Sequence, residues 1–130
     1  MKLLLLFFAL FALAPLAQAQ MPQDSAAVGS VARYRLYPTQ NRWTFLKLDT
    51  RNGRIWQVQW STGGVEELFE TPLSYERLCR YWEEVNGRFA LWPTTNIYNF
   101  ILLDQVDGRT WQVQWSHERR NRGVFPISGP

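Results

Sequence analysis

Two aspartates set the first chemical question. Asp49 and Asp104 open the stretches Asp-Thr-Arg-Asn-Gly and Asp-Gln-Val-Asp-Gly. Paired carboxylates that converge on a cleft are the equipment of a glycosidase, one as acid and the other as base or nucleophile. The plainer use is turn chemistry. An aspartate that opens a turn accepts backbone N–H bonds, and Arg54 and Arg109, five residues on, are spaced to pair with it. The turn reading is the preferred one.

Other catalytic groups are scarce. His117 is the single histidine and sits beside Glu118 in a polar stretch, without a second ligand or a nucleophile next to it. Asp104-x-x-Asp107-Gly lacks the alternating oxygens and distal glutamate of a calcium loop. No Cys/His spacing suits zinc, and no glycine-rich phosphate loop or nucleophile elbow is present. No cofactor is therefore expected. Recognition is better served. Tyr37, Trp43, Trp92, Tyr98 and the two Trp-Gln-Val-Gln-Trp runs supply rings of the kind that lie under sugar faces, with Gln and Asn nearby for hydroxyls. Arg119, Arg120 and Arg122 cluster in one loop, and the planar guanidinium suits an anionic group. The expected ligand surface combines Arg119, Arg120 and Arg122 with an exposed ring, Trp92 or Tyr98.

The elements that must position these residues come from a duplication. Residues 33–61 align with 88–116 at a constant offset of 55, with sixteen of 29 positions identical and a shared Trp-Gln-Val-Gln-Trp-Ser run. Repetition sets architecture before any single residue does. Each unit reads as three strands: 33–37, 43–48 and 54–61, then 88–92, 98–103 and 109–116. Pro-Thr-x-Asn and Asn-Gly or Asp-Gly mark the turns. A fourth strand is expected near 65–69 and near 124–127. Trp56, Val58 and Trp60 alternate with Gln57, Gln59 and Ser61. Trp56, Trp60, Trp111 and Trp115 are thus expected to be buried against the partner unit, with the glutamines forming polar rows on the other face. The hairpin register stays open: a four-residue turn puts Phe45 beside Val58, a five-residue turn puts Thr44 there. Lys47, standing where the second copy has Leu102, suggests a wetter face in the first unit.

The fold class that follows is all-β: two tandem antiparallel meanders packed with pseudo-twofold symmetry. They are joined by one short helical crossover, with Ser74 as N-cap and apolar residues of 75–82 at helical spacing. The domain plan is a signal peptide at 1–19, a loose leader at 20–32 and one β domain at 33–130. That domain comprises repeat 1 (33–70), crossover (71–87) and repeat 2 (88–127).

The chain's start bears on its destination. Lys2, the apolar run 3–13 and Ala17-Gln18-Ala19 form an export signal, with cleavage expected before Gln20. The destination is the periplasm or the exterior, with no stable membrane insertion once the signal is removed. Cys79 is the one cysteine, so no internal disulfide supports the exported chain; it reads as a small buried hydrophobe. Aromatics at 15% must supply the burial instead. A net charge of +3 is too slight to imply nucleic acid as partner.

The block Pro-Thr-x-Asn-x-x-x-Phe-x-x-Leu-Asp-x-x-x-Gly-Arg-x-Trp-Gln-Val-Gln-Trp-Ser resembles short exported bacterial proteins of unknown function built from this hairpin unit. The resemblance covers about half of the chain and implies a fold without implying an activity. The spacing Leu48-Asp49…Gly53…Trp56 also looks like a quinoprotein-type propeller blade, although two blades cannot close a ring. The expected function is a binding or interaction module of the bacterial envelope with a protein or glycan partner. Two other readings stand beside it: a small carbohydrate-active hydrolase, and a structural homo-oligomeric subunit. A homodimer through exposed strand edges fits either the binding or the structural role.

Overall fold

The computed structural model describes residues 31–129. The proposed signal and most of the leader lie outside them. Eight strands form two four-stranded antiparallel sheets, each in simple sequence order. Sheet 1 holds β1 (Tyr34–Pro38), β2 (Thr44–Asp49), β3 (Ile55–Gln59) and β4 (Phe69–Pro72). Sheet 2 holds β5 (Phe89–Pro93), β6 (Asn99–Asp104), β7 (Thr110–Gln114) and β8 (Gly123–Ile127). The all-β duplication is thus present strand for strand. Register repeats as well: Phe45 pairs with Val58 and Phe100 with Val113. This is the four-residue-turn alternative in both copies.

Identical residues account for identical turns. Thr39 Oγ1 donates to the Thr44 carbonyl, and Asn41 Oδ1 accepts the Trp43 amide. Thr94 and Asn96 repeat both bonds with Asn99 and Tyr98. At the opposite end, the Asp49 carbonyl accepts the Gly53 amide and that of Asp104 accepts the Gly108 amide. Gly53 and Gly108 hold φ of 78° and 81° there, a conformation that costs an L-residue strain.

The two sheets bury opposite faces. Sheet 1 turns Leu46, Leu48, Ile55 and Gln57 inward, whereas sheet 2 turns in Phe100, Leu102, Trp111 and Val113. At the constant offset these sets belong to alternate sides of the pleat. The pseudo-twofold expectation is corrected on this point, because a twofold would bury the same face of both copies. Instead the copies stack in one sense, inner face on the next copy's other face. One apolar cluster spans the junction, from Leu46 and Leu48 through Phe89 and Leu91 to Trp115.

The tryptophan expectation divides accordingly. Trp111 and Trp115 are buried, while Trp56 is half-buried and Trp60 exposed. The first glutamine row is not a polar surface either. Gln57 is fully buried, and its Oε1 accepts the Ser116 amide at 3.3 Å.

The crossover departs from a helix. Its regular structure is one 3₁₀ turn, Tyr81–Glu83, with Tyr75, Tyr81 and Trp82 all exposed. The segment runs from an edge strand of sheet 1 to an edge strand of sheet 2, and extended chain covers about twice the distance per residue that a helix does. It is pinned midway, where the Leu78 amide donates to Asn52 O and Arg109 to Leu78 O. Near 65–69, residues Val65–Glu67 form another 3₁₀ turn, and β4 begins only at Phe69.

Candidate functional site

Asp49 and Asp104 are committed groups. Asp49 accepts Nε and Nη2 of Arg33 at 3.2 and 2.9 Å, the Arg51 amide at 3.1 Å and Nδ2 of Asn52 at 3.3 Å. Asp104 accepts Nε and Nη2 of Arg88, the Val106 amide and, at 3.3 Å, Arg109. Burial alone would raise the Asp104 carboxyl, but the Arg88 bonds and the Val106 amide outweigh it and hold the group below the usual carboxylate range. Neither aspartate is left as a paired acid and base. The expected cross-turn partner is present for Arg109. For Asp49 the ion-pair partner is Arg33, the repeat equivalent of Arg88. The signal was available in the sequence: an arginine opens both copies of the repeat.

Antiparallel order places the β5–β6 and β7–β8 loops at the same end of sheet 2. Two tilted ring pairs stand at this end of the molecule, one per copy. Each is built by the repeated tryptophan that follows the third strand of its unit. Trp60 Nε1 donates to Arg42 O at 2.7 Å, and Trp115 Nε1 donates to Ile97 O at 2.8 Å, closing the hairpin mouths. Each ring then packs at a tilt, 56° and 49°, against the loop residue before the second strand. Trp43 and Trp60 lie 4.7 Å apart, with the Arg42 guanidinium 4.6 Å above Trp43. Tyr98 and Trp115 lie 4.9 Å apart, with His117 edge-on to Trp115 at 5.5 Å.

Tyr98 therefore joins the histidine-arginine loop through Trp115. Within that loop, Arg119–Asn121 form a 3₁₀ turn. Arg120 pairs with Glu118 at 2.8 Å, both well exposed. Arg122 is turned inward: its guanidinium donates to Ser116 O and His117 O and lies over the Phe69 ring at 5.6 Å. Burial, then the charge of Arg119, lowers its pKa below the ordinary arginine value. Arg119 has no ion pair among the described residues. Trp92 stands elsewhere, exposed on β5, with β6 and β7 between it and β8.

A concavity in the first copy brings together two of the candidate rings, Trp43 and Trp60, whose convergence the sequence did not indicate. It is lined by Trp43, Gln59, Trp60, Ser61, Thr62 and Glu67. A tilted ring pair, a guanidinium and several hydroxyl or amide groups border one open surface. Its signal was the identity of Trp60 with Trp115; which of the two would be exposed depended on the stacking order of the sheets. Among the described residues, no group of three His, Cys, Asp or Glu side chains is arranged to hold a metal ion. No helix there is long and apolar enough to cross a membrane. Comparison with protein-family models, with curated proteins and with solved structures gives no match.

Proposed function

We propose that this chain is an exported binding module of the bacterial envelope, non-enzymatic, which holds a glycan or protein ligand at the loop end of its two sheets. The observation that carries this reading is the Arg42–Trp43–Trp60 cluster beside Gln59, Ser61 and Thr62. An aromatic platform with polar groups at its rim offers a sugar both an apolar face and hydroxyl partners, and loops on a rigid β scaffold are the usual carriers of recognition. Arg119 and Arg120 in the corresponding loop of sheet 2 add donors for an anionic substituent. The hydrolase reading is weaker, because Asp49 and Asp104 are engaged by arginines and backbone amides.

A glycan array and an envelope pull-down test this function. Trp43→Ala should remove retention of a glycan ligand, and an Arg119→Ala/Arg120→Ala double variant should weaken retention of an anionic one. Equal retention by all three proteins would exclude this surface. Arg122 is best left intact, since its bonds to Ser116 O and His117 O hold the loop. Export is tested separately by sequencing the N-terminus of the protein recovered from the envelope, which should begin at Gln20.

A further inference from the structure

The two outward sheet faces are unlike each other, and the molecule already contains the interface that would join them. Inside the chain, one side of sheet 1 rests on the opposite side of sheet 2. The duplication therefore leaves a matched remainder. The outward face of sheet 1 is the repeat equivalent of the face that sheet 2 buries. The outward face of sheet 2 is the equivalent of the face that sheet 1 buries.

Exposure follows this correspondence closely. Leu36 is 62% exposed where its equivalent Leu91 is 4%, and Trp60 is 39% exposed where Trp115 is 0%. Half-buried Phe45, Trp56 and Val58 complete the apolar outward face of sheet 1. On the outward face of sheet 2, half-buried Ile101 and Leu103 stand where sheet 1 has fully buried Leu46 and Leu48. Trp92, at 59% exposed, stands beside Ile101, and Phe125 lies beyond Gln112 in the same cross-strand row. Asn99, Thr110, Gln112 and Gln114 make much of the rest of this face polar, and no strand residue pointing outward from this sheet is ionisable. Exposed apolar side chains gathered on one face mark interaction sites.

We propose that the chain associates with further copies of itself head to tail, the outward face of sheet 1 docking on the outward face of sheet 2 of the next copy. The contact repeats between molecules the stacking that joins the two sheets within one. It is heterologous, so each copy keeps one free face of each kind, and growth stops only when a ring closes. Lys47 sets its strength. It occupies the position of buried Leu102, pairs with Glu70, and holds its amine 4.9 Å from the Trp56 ring. Covering that pair removes it from water, which weakens the intermolecular stack relative to the internal one.

The proposal goes beyond ligand binding, and its test uses no ligand. Sedimentation velocity of the mature protein from micromolar to millimolar concentration should show reversible association. A Lys47→Leu/Glu70→Gln double variant, which removes both charges of the pair, should strengthen it about ten- to hundredfold, the worth of burying a leucine in place of the charge. Leu36→Glu and Trp92→Glu alter side chains exposed in the single copy, so both should keep the wild-type circular dichroism and remain monomeric alone. Mixed together they should form a one-to-one dimer, since each retains the face that the other lacks. A wild-type protein monomeric throughout, a Lys47→Leu/Glu70→Gln variant no more associated than wild type, or a mixture that stays monomeric would overturn the proposal. Dimerisation of either glutamate variant alone would also overturn it, because that would require a contact between like faces or strand edges.

Discussion

Trp60 and Trp115 close the same hairpin mouth with the same two hydrogen bonds, yet Trp60 is exposed and Trp115 is sealed. The local structure around them is shared; the difference is what lies on top. Sheet 1 covers Trp115, and among the described residues no sheet covers Trp60 in the same way. The turn carboxylates show the same asymmetry. Asp49 is held by an arginine that keeps much of its surface in water, whereas Asp104 is held by one with almost none. Two near-identical sequences thus meet different physics because stacking gives one an inner place and the other an outer one.

The largest test of this difference is truncation of the paired tryptophans. Trp115→Ala should cost about 3–5 kcal/mol, as a ring lost from a packed core does, while Trp60→Ala should cost less than about 2 kcal/mol. Chemical denaturation of both variants measures it, and equal losses would mean that the rings share one environment. Next comes the arginine pair. Arg88→Ala leaves a fully buried carboxylate without its main partner and should cost about 3 kcal/mol. Arg33→Ala should cost clearly less, because water reaches that end of the pair. Thermal unfolding of the two variants under one set of conditions ranks them.

A smaller contrast lies in the turn glycines. Both hold positive φ, so alanine at either is strained by about 1–2 kcal/mol. At Gly53 a Cβ would also meet Leu78 Cδ1 at 2.8 Å and Phe89 Cδ1 at 3.1 Å, whereas at Gly108 nothing lies within 4 Å. Gly53→Ala should therefore be the more destabilising of the two, and the Gly108 variant should show the strain alone. The smallest expected effect is that of acid. The folded pKa of Asp104 lies below its unfolded value of about 3.9. Its contribution is thus complete above that unfolded value and is lost as pH falls through the lower folded one. Urea titrations from about pH 6 to about pH 2 should show this loss in the wild type and a smaller one in Asp104→Asn.

Much of the local structure was legible. Pro-Thr-x-Asn and Asp…Gly turns recur because their side chains bond to backbone a few residues away, within the reach of sequence. The loop that carries Arg119, Arg120 and Arg122 was recognisable by its charge, but the inward commitment of Arg122 was not, since Ser116 O and His117 O become its partners only once the loop folds back. The crossover misled because Tyr75, Leu78 and Trp82 have helical spacing, while the distance between edge strands favoured extended chain pinned at Leu78.

By itself the sequence determined a duplicated antiparallel meander and its turns, because strand alternation and turn bonds are local and the two copies corroborate each other. The hairpin register, open between two turn lengths, was settled by the strand pairing of the folded chain. Which face of each sheet would be buried was decided only in the tertiary structure. Both faces carry apolar residues, Leu46 and Leu48 on one, Phe45, Trp56 and Val58 on the other, so alternation named two candidate interiors. The choice belongs to packing, where one sheet must present the side that the other does not. Lys47 was the single local hint of that choice, since a lysine is costly to bury at the place where the second copy puts Leu102. Gln57 and Gln112 show the limit most plainly: they are the same residue in the same run, yet Gln57 is enclosed between the sheets and Gln112 faces water.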